Sequence, residues 1–238
     1  MCVIVCAKAI GNYLDKLYIT LKRVSPVPIA RNTDNVIESR HEYAVNFSTL
    51  IASQAKIFFA DETGIQVCCR TGYGRAKAGK RANIEVKAIR GKNYSVCAAM
   101  NSECLYYYSA QDSAFNAQKF CEFLNELFEL FDRDNLTGVT LVMDNVRFHH
   151  VDTVLETVSR KGHHLLFLPA YSPFLNPIEN LFNQLKHYVK KLRPSDANAI
   201  FYALEHASDA ISSADCVNYY RNMSKYLQLS LNRQHISN

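Results

Sequence analysis

Asp61, Asp144 and Glu179 occupy places where a carboxylate is costly unless something uses it. Asp61 closes the apolar run IFFAD (57–61), Asp144 closes VTLVMD (139–144), and Glu179 falls in the first turn of an amphipathic segment that begins after Asn176 and Pro177. Three acids at the mouths of buried elements repel one another, and burial drives each toward its neutral form, unless a cation neutralises the group. Magnesium suits such a set, because it takes hard oxygen ligands and keeps several waters. Two such ions can activate an attacking oxygen and stabilise the leaving one in an in-line phosphoryl displacement. Singly, each acid has a plainer explanation: an Asp at a strand end forms a turn or caps a helix, and a first-turn Glu answers the helix dipole. Their joint placement points to a carboxylate–metal site, and the pattern alone leaves its substrate open.

The elements that must position these acids can be read from periodicity. IFFAD reads as a buried central strand with Asp61 at its C-terminal end. IEVKAIRG (84–91), YSVCAAMN (94–101) and ECLYYYSA (103–110) are short β-rich runs with tight connections, which predicts antiparallel strands in a meander. Phe115, Phe120, Phe123, Leu124, Leu127, Phe128 and Phe131 recur at helical spacing, with Glu122, Glu126 and Glu129 on other faces. A strand ending at Asp144, a helix over about 152–161, and a strand in HLLFLPAYSP follow. Asn176 is the expected N-cap of a helix running from Pro177 to Lys191, with Lys186, Lys190 and Lys191 toward its negative end. Beyond Pro194 the pattern predicts a helix in AIFYALEHASDAI and a shorter piece around VNYYRNM. The result is an α/β fold, a mixed sheet covered by helices with a helical tail, in which the later strands lie beside the first. Ligands of such sheets sit outside the strands' carboxyl ends, so Asp61 and Asp144 should share one site.

With 238 residues, 48% of them hydrophobic, the chain can bury a substantial core. No run approaches the roughly 18–20 apolar residues of a membrane span. The opening MCVIVCAKAI has no basic segment ahead of its short apolar run, so a soluble intracellular protein is expected. The eight cysteines, Cys2, Cys6, Cys68, Cys69, Cys97, Cys104, Cys121 and Cys216, form no C-x-x-C module and read as reduced core thiols. Charge is unevenly placed. Arg70, Arg75, Lys77, Lys80, Arg81, Lys87, Arg90 and Lys92 face a single acid, Glu85, in one segment of net +7, leaving −2 for the rest of a chain whose total is +5. Such a concentration marks either a solvated loop or a polyanion track.

ADETG (60–64), VMDNVRFH (142–149) and LPAYSPFLNPIENLF (168–182) resemble the three signature blocks of mariner-like DDE transposases and their bacterial insertion-sequence relatives. Asp144 and Glu179 are separated by 34 residues, the spacing of that family's DD34E class. The resemblance covers roughly residues 50–225 and includes the Gly-rich basic stretch GYGRAKAGKRA. It implies a ribonuclease H-like fold in which Asp61, Asp144 and Glu179 bind two magnesium ions, with manganese as a substitute. It also implies double-stranded DNA as partner, both terminal repeats and target, a homodimer in a paired-end complex, and, in a eukaryotic source, a nuclear location. Such enzymes cleave DNA at the element's ends and use the freed 3′-hydroxyl to attack target DNA, so no protein nucleophile is needed.

The resemblance further assigns Asn145, His149, Tyr171, Ser172, Asn176 and Asn180 supporting places around the acids. His149 either assists near the scissile phosphate or packs at the strand–helix junction. Glu62, next to Asp61 on a strand, should point to the opposite face and not reach the metals. The basic residues from Arg70 to Lys92 are the candidate DNA contacts. Residues 12–31 resemble the last recognition helix and linker of the family's helix-turn-helix region, which divides the chain into residues 1–50 as a remnant of that region, 51–194 as the catalytic domain and 195–238 as a helical extension. Ala170 stands where a second proline is usual and Phe182 where tryptophan is usual. End recognition is therefore expected to be impaired while the site is intact. The alternatives are a regulator that binds DNA or oligomerises without transposing, and a nuclease of the same fold acting on RNA or branched DNA.

Overall fold

Side-chain alternation along one strand divides the molecule into two faces. In β1 (Ile57–Gln66), Phe58 and Ala60 enter one apolar cluster while Phe59 and Ile65 enter another. Successive residues of a strand point to opposite sides, so Asp61 lies on the side of Phe59 and Glu62 on the side of Ala60. The structure is a computed structural model and describes residues 6–20, 26–66, 75–83, 92–146, 149, 151–194 and 196–237.

β1 is the centre of a five-stranded mixed sheet among the described residues. It pairs antiparallel with β2 (Asn93–Met100), which pairs antiparallel with β3 (Leu105–Gln111). On its other side β1 runs parallel to β4 (Thr140–Met143), and β4 runs parallel to β5 (His164–Phe167), giving the order β3-β2-β1-β4-β5. The antiparallel pairing of the runs 94–101 and 103–110 and the two later parallel strands agree with the sequence pattern. The run 84–91, expected to be a strand, lies outside the described residues.

One expectation is corrected. β1 does not end at Asp61 but continues through Gln66 on β2. What ends near Asp61 is the parallel pairing: the last β1–β4 match is Phe59 with Val142. Asp61 and Asp144 each lie two residues past that match, so they leave the sheet side by side on the same face. The notch where β4 stops and β1 goes on is what makes room for a site.

Helices cover both faces. α3 (Ala117–Arg133) and α4 (Asp152–Arg160) bury Phe120, Leu124, Phe128, Val154 and Val158 against one. On the other, α2 (Asp34–Ala52), α5 (Ile178–Leu192), α6 (Ala197–Asp209) and α7 (Ser213–Leu231) share a cluster that includes Phe47, Phe182, Ala203 and Met223. Phe182 is 1% exposed, so the aromatic at that position fills core whether or not it is tryptophan. α7 is far longer than the short piece expected around VNYYRNM. Its start is set by a capping box between Ser212 and Asp215 that the hydrophobic pattern does not reveal. α1 (Ala7–Lys16) buries no residue. Of the described cysteines, Cys97 and Cys216 are buried core thiols as expected, whereas Cys6 and Cys104 are exposed.

The C-terminal helix reaches the site indirectly. Phe174, in the 3-10 turn Pro173–Leu175, packs on Tyr226 of α7 with ring centres 5.0 Å apart. The guanidinium of buried Arg40 lies 5.9 Å from the same ring, and its nitrogens donate to the Arg31 carbonyl and the Asn32 side chain at 2.7 and 3.2 Å. α2 and α7 thus brace the turn that delivers Asn176 and Glu179. Phe47, fully buried between Tyr43 and Phe59, joins α2 to the central strand. Phe47→Ala should cost about 3–5 kcal/mol, as large aromatic truncations in cores do, measured by urea denaturation; a loss below about 1 kcal/mol would mean that α2 is not part of the cooperative unit.

Candidate active site

Asp61, Asp144 and Glu179 line one cleft of about 300 Å³. Asp61 comes from the overhanging part of β1, Asp144 from the residue after β4, and Glu179 from the first turn of α5, which packs on β1 and β2. Leu168, Pro169, Ala170, Tyr171, Ser172 and Pro173 wall the cleft, with Asn145, Val146 and Asn176. The wall is a turn that leaves β5 and cannot continue as strand, because Pro169 and Pro173 lack the N–H a ladder needs. Tyr171 adopts a left-handed backbone, φ 55°, and is 49% exposed at the rim. Ser172 is buried and its Oγ donates to the Ala170 carbonyl at 3.0 Å, holding the turn rather than facing a base.

Asp61 is 5% exposed, and each of its oxygens accepts a hydrogen bond: Oδ1 from the Glu62 N–H at 2.7 Å and Oδ2 from Asn176 Nδ2 at 2.8 Å. Asn176 is therefore not the N-cap of α5, a position taken by Pro177. It is buried, its amide is committed to Asp61, and its Oδ1 has no protein partner. Burial, then the charges of Asp144, Glu62 and Glu179, push the Asp61 carboxyl up to about 8, although the Glu62 N–H opposes them. Glu179 is also raised, by desolvation against the cleft wall and by Asp144, with Lys186 pulling the other way.

His149 does not line the cleft. It is fully buried behind Asp144, packed at a tilt on Phe120 with ring centres 4.5 Å apart. Its Nδ1 is 2.8 Å from Asp144 Oδ1 and its Nε2 is 3.1 Å from Glu62 Oε1. Burial alone would depress this imidazole, but the bonds to Asp144 and Glu62 and the charges behind them push it up to about 10. His149 therefore meets Asp144 directly and the cleft only through it, in the packed place at the strand–helix junction. Glu62 does point away from Asp61, as strand alternation requires, yet it is tied to the site through His149. Nothing in local sequence signals that link, because the partners are 87 residues apart. Asn180 is half-buried on α5, outside the cleft lining.

Among the described residues, no three His, Cys, Asp or Glu side chains stand close enough, as they lie, to hold one metal ion. The three carboxylates share a cleft rather than a closed ligand shell. The donor set still fits a hard divalent cation: it is all oxygen, and burial and then the other acids' charges push one member toward its neutral form, a penalty that a cation offsets.

The sequence profile of the DDE superfamily endonuclease family matches residues 56–200, more than half of the chain and all three acids. The chain belongs to that family. It is also 39% identical over 74 residues to the transposable element Tc1 transposase of Caenorhabditis elegans, a match spanning 31% of this chain and 27% of that protein, so about a quarter of the relative's length is represented. Among solved structures, the Mos1 mariner paired end complex with Mn matches 98% of this chain and 72% of its own, with TM-score 0.80 and 18% identity. The Mos1 transposase paired-end complex with left transposon end matches 94% and 69%, with TM-score 0.78 and 19% identity. The catalytic domain of Mos1 mariner transposase matches 90% and 100%, with TM-score 0.69 and 16% identity. Likeness at these identities establishes the fold, which is ribonuclease H-like as the sequence motifs imply.

In this DDE superfamily endonuclease the basic segment is only partly described. Arg70, Lys87 and Arg90 lie outside the described residues. Arg75, Lys77, Lys80 and Arg81 are exposed and make no ion pair with a described residue. Lys92 differs: its Nζ bonds Asp112 at 2.6 Å and lies 5.7 Å from the Tyr94 ring centre, so it is already paired.

The charge cluster generates a stability prediction for the metal-free protein. A carboxyl raised from 3.8 to about 8 destabilises the fold increasingly as pH rises between those values, because the unfolded chain releases the proton first. Asp61→Asn removes that destabilisation, and Asn176 can turn over so that its partnerless Oδ1 accepts from the new amide. With chelator present, the variant should match the parent's Tm near pH 4. By pH 8 it should exceed it by on the order of 1–2 kcal/mol, or roughly 2–8 °C for a chain of this size. A variant that is less stable at pH 8 would refute the charge cluster.

Proposed function

We propose that this chain is the catalytic part of a cut-and-paste DNA transposase, a metal-dependent endonuclease and strand transferase. The observation that carries the proposal is the convergence of Asp61, Asp144 and Glu179 on one cleft, with Asp61 buried there beside the other acids. Asp61, Asp144 and Glu179 are its catalytic residues and would hold divalent metal, magnesium with manganese as substitute; solved Mos1 structures are described with each. The metal's contribution when bound is to activate the attacking oxygen and stabilise the leaving one at a phosphodiester.

The protein's own groups position and exclude. Asn176 and the Glu62 N–H hold Asp61, the 168–173 turn walls the cleft, and Tyr171 stands at the rim where DNA would pass. Ser172 is committed to Ala170 and offers no activated nucleophile, which suits attack by water or a DNA 3′-hydroxyl. Asn145 lines the cleft beside Asp144 and supports it; Asn180, set back on α5, supports the helix rather than the acids.

Double-stranded DNA, both element ends and target, is the substrate, and two protomers act in a paired-end assembly; in support, Mos1 transposase is solved as a paired-end complex with a transposon end and as a pre-cleavage transpososome. Residues 1–50 are the remainder of a DNA-binding region and linker, 51–194 the catalytic domain and 195–238 its helical extension. In support, longer Mos1 chains match 98% of this chain where the isolated catalytic domain matches 90%. No helix among the described residues is long and apolar enough to cross a membrane; for a eukaryotic source, the chromosomal DNA substrate proposed here supports a nuclear location.

Purified protein with Mg2+ or Mn2+ and labelled duplex carrying candidate terminal repeats should nick the DNA. Asp144→Asn and Glu179→Gln should each lower the rate at least 100-fold without loss of fold. Equal nicking by parent and variants would sink the assignment, and metal and DNA binding without nicking would favour a regulator that no longer transposes. Separately, replacing Arg75, Lys77, Lys80 and Arg81 together by Ala should flatten the slope of log affinity against log salt by about 2–4, since each phosphate contact contributes roughly 0.9. An unchanged slope would remove this segment from the DNA path.

A further inference from the structure

We infer that Glu62 is a positioning residue for the metal site: through His149 it fixes the carboxylate of Asp144, so that one oxygen of Asp144 is left for a divalent cation. The inference rests on the metal-dependent function proposed above and adds a residue to it. Three observations lead there. His149 is fully buried with its ring centre 4.5 Å from that of Phe120, so the ring is enclosed and has little room to move. Glu62 Oε1 holds Nε2 at 3.1 Å, which stops the ring from turning over and commits Nδ1 to Asp144. Asp144 Oδ1 then takes two donors, His149 Nδ1 at 2.8 Å and the Val146 N–H at 3.3 Å, while Oδ2 has no protein partner among the described residues.

An imidazole offers two nitrogens in a rigid ring, so anchoring one aims the other. Without Glu62, the ring could rotate and present either nitrogen, and Asp144 could swing with it. Partners that orient a ligating carboxylate typically change metal affinity 10- to 100-fold when removed. The arrangement also explains why an acid is tolerated directly after Asp61 although it raises that residue's charge burden: its own charge is answered on the other face of the sheet by His149.

The alternative is that Glu62 affects metal directly, as a ligand or as one more nearby charge. A double-mutant comparison separates the two, because a relay through His149 needs His149. Binding of Mn2+ to the full chain without DNA is measured by electron paramagnetic resonance or calorimetry for the parent, Glu62→Ala, His149→Phe and the double variant, with Asp144→Asn as reference. The phenyl ring of His149→Phe keeps the packing on Phe120 and removes both nitrogens.

Glu62→Ala should weaken Mn2+ binding about tenfold in the parent background and less than about twofold in the His149→Phe background. Glu62→Gln, which still accepts a hydrogen bond from His149, should fall between parent and Glu62→Ala, and it serves in place of Ala if that variant loses its thermal transition. Full loss persisting in the His149→Phe background would overturn the relay in favour of direct action. Unchanged affinity in both Glu62 variants, with Asp144→Asn clearly weakened, would overturn the inference and leave the function standing. If Asp144→Asn binds Mn2+ as the parent does, the metal site itself fails, and the inference with it.

Discussion

Burial of Asp61 among other carboxylates is the constraint to which the rest of the molecule answers. Three acids approach the end of a parallel strand pair, and Glu62 adds a fourth charge from the other face of the sheet. Each is compensated differently. Asp61 accepts from a backbone amide and from Asn176, Asp144 is held by His149, and Glu179 stands closer to solvent with Lys186 along its helix. Compensation is incomplete, since Asp61 is still held far from its ordinary carboxylate range. A site that remains uncomfortable without a cation is one that a cation can occupy with gain.

That chemistry shapes the architecture around it. Because β1 outruns β4, the sheet edge opens at the level of Asp61 and Asp144, and the prolines after β5 keep a further strand from closing the gap. The turn that carries Asn176 into this opening is not self-supporting. It leans on Tyr226 and Arg40 through Phe174, so α2 and α7, which contribute none of the acids, help to set the geometry of the cleft. Two sides of the sheet serve different ends: α5 delivers Glu179 and Asn176 to the front, while α3 supplies Phe120 as the floor under His149.

Much of the fold was legible in the sequence because its signals are local. The Phe and Leu spacing of α3, the apolar runs ending at Asp144 and near Asp61, and the Pro-bounded segment before α5 each reflect one element burying one face. Legibility failed where the decisive contact was distant or where two signals competed. Asn176 before Pro177 has the form of a helix cap, yet its side chain turns to Asp61, 115 residues away. Asp61 looks like a strand terminus because the apolar run stops there, but the strand persists on hydrogen bonds to β2 that do not require apolar side chains. The full length of α7 was hidden because its exposed turns are polar and only Cys216, Tyr219, Met223, Leu227 and Ser230 are buried.

The sequence by itself determined the candidate acids and their order: three acids at the ends of buried elements, a 34-residue spacing, and blocks of motif that resemble those of the family. Those are properties of residue type and separation along the chain. Only the tertiary structure decided how the acids are held, that Glu62 and His149 stand behind Asp144, that Asn176 serves Asp61, and that Asp61 is charge-stressed. The physical reason is that hydrogen bonds and Coulomb forces act over a few ångströms of space, and the sequence does not record which distant residues will be brought within that range.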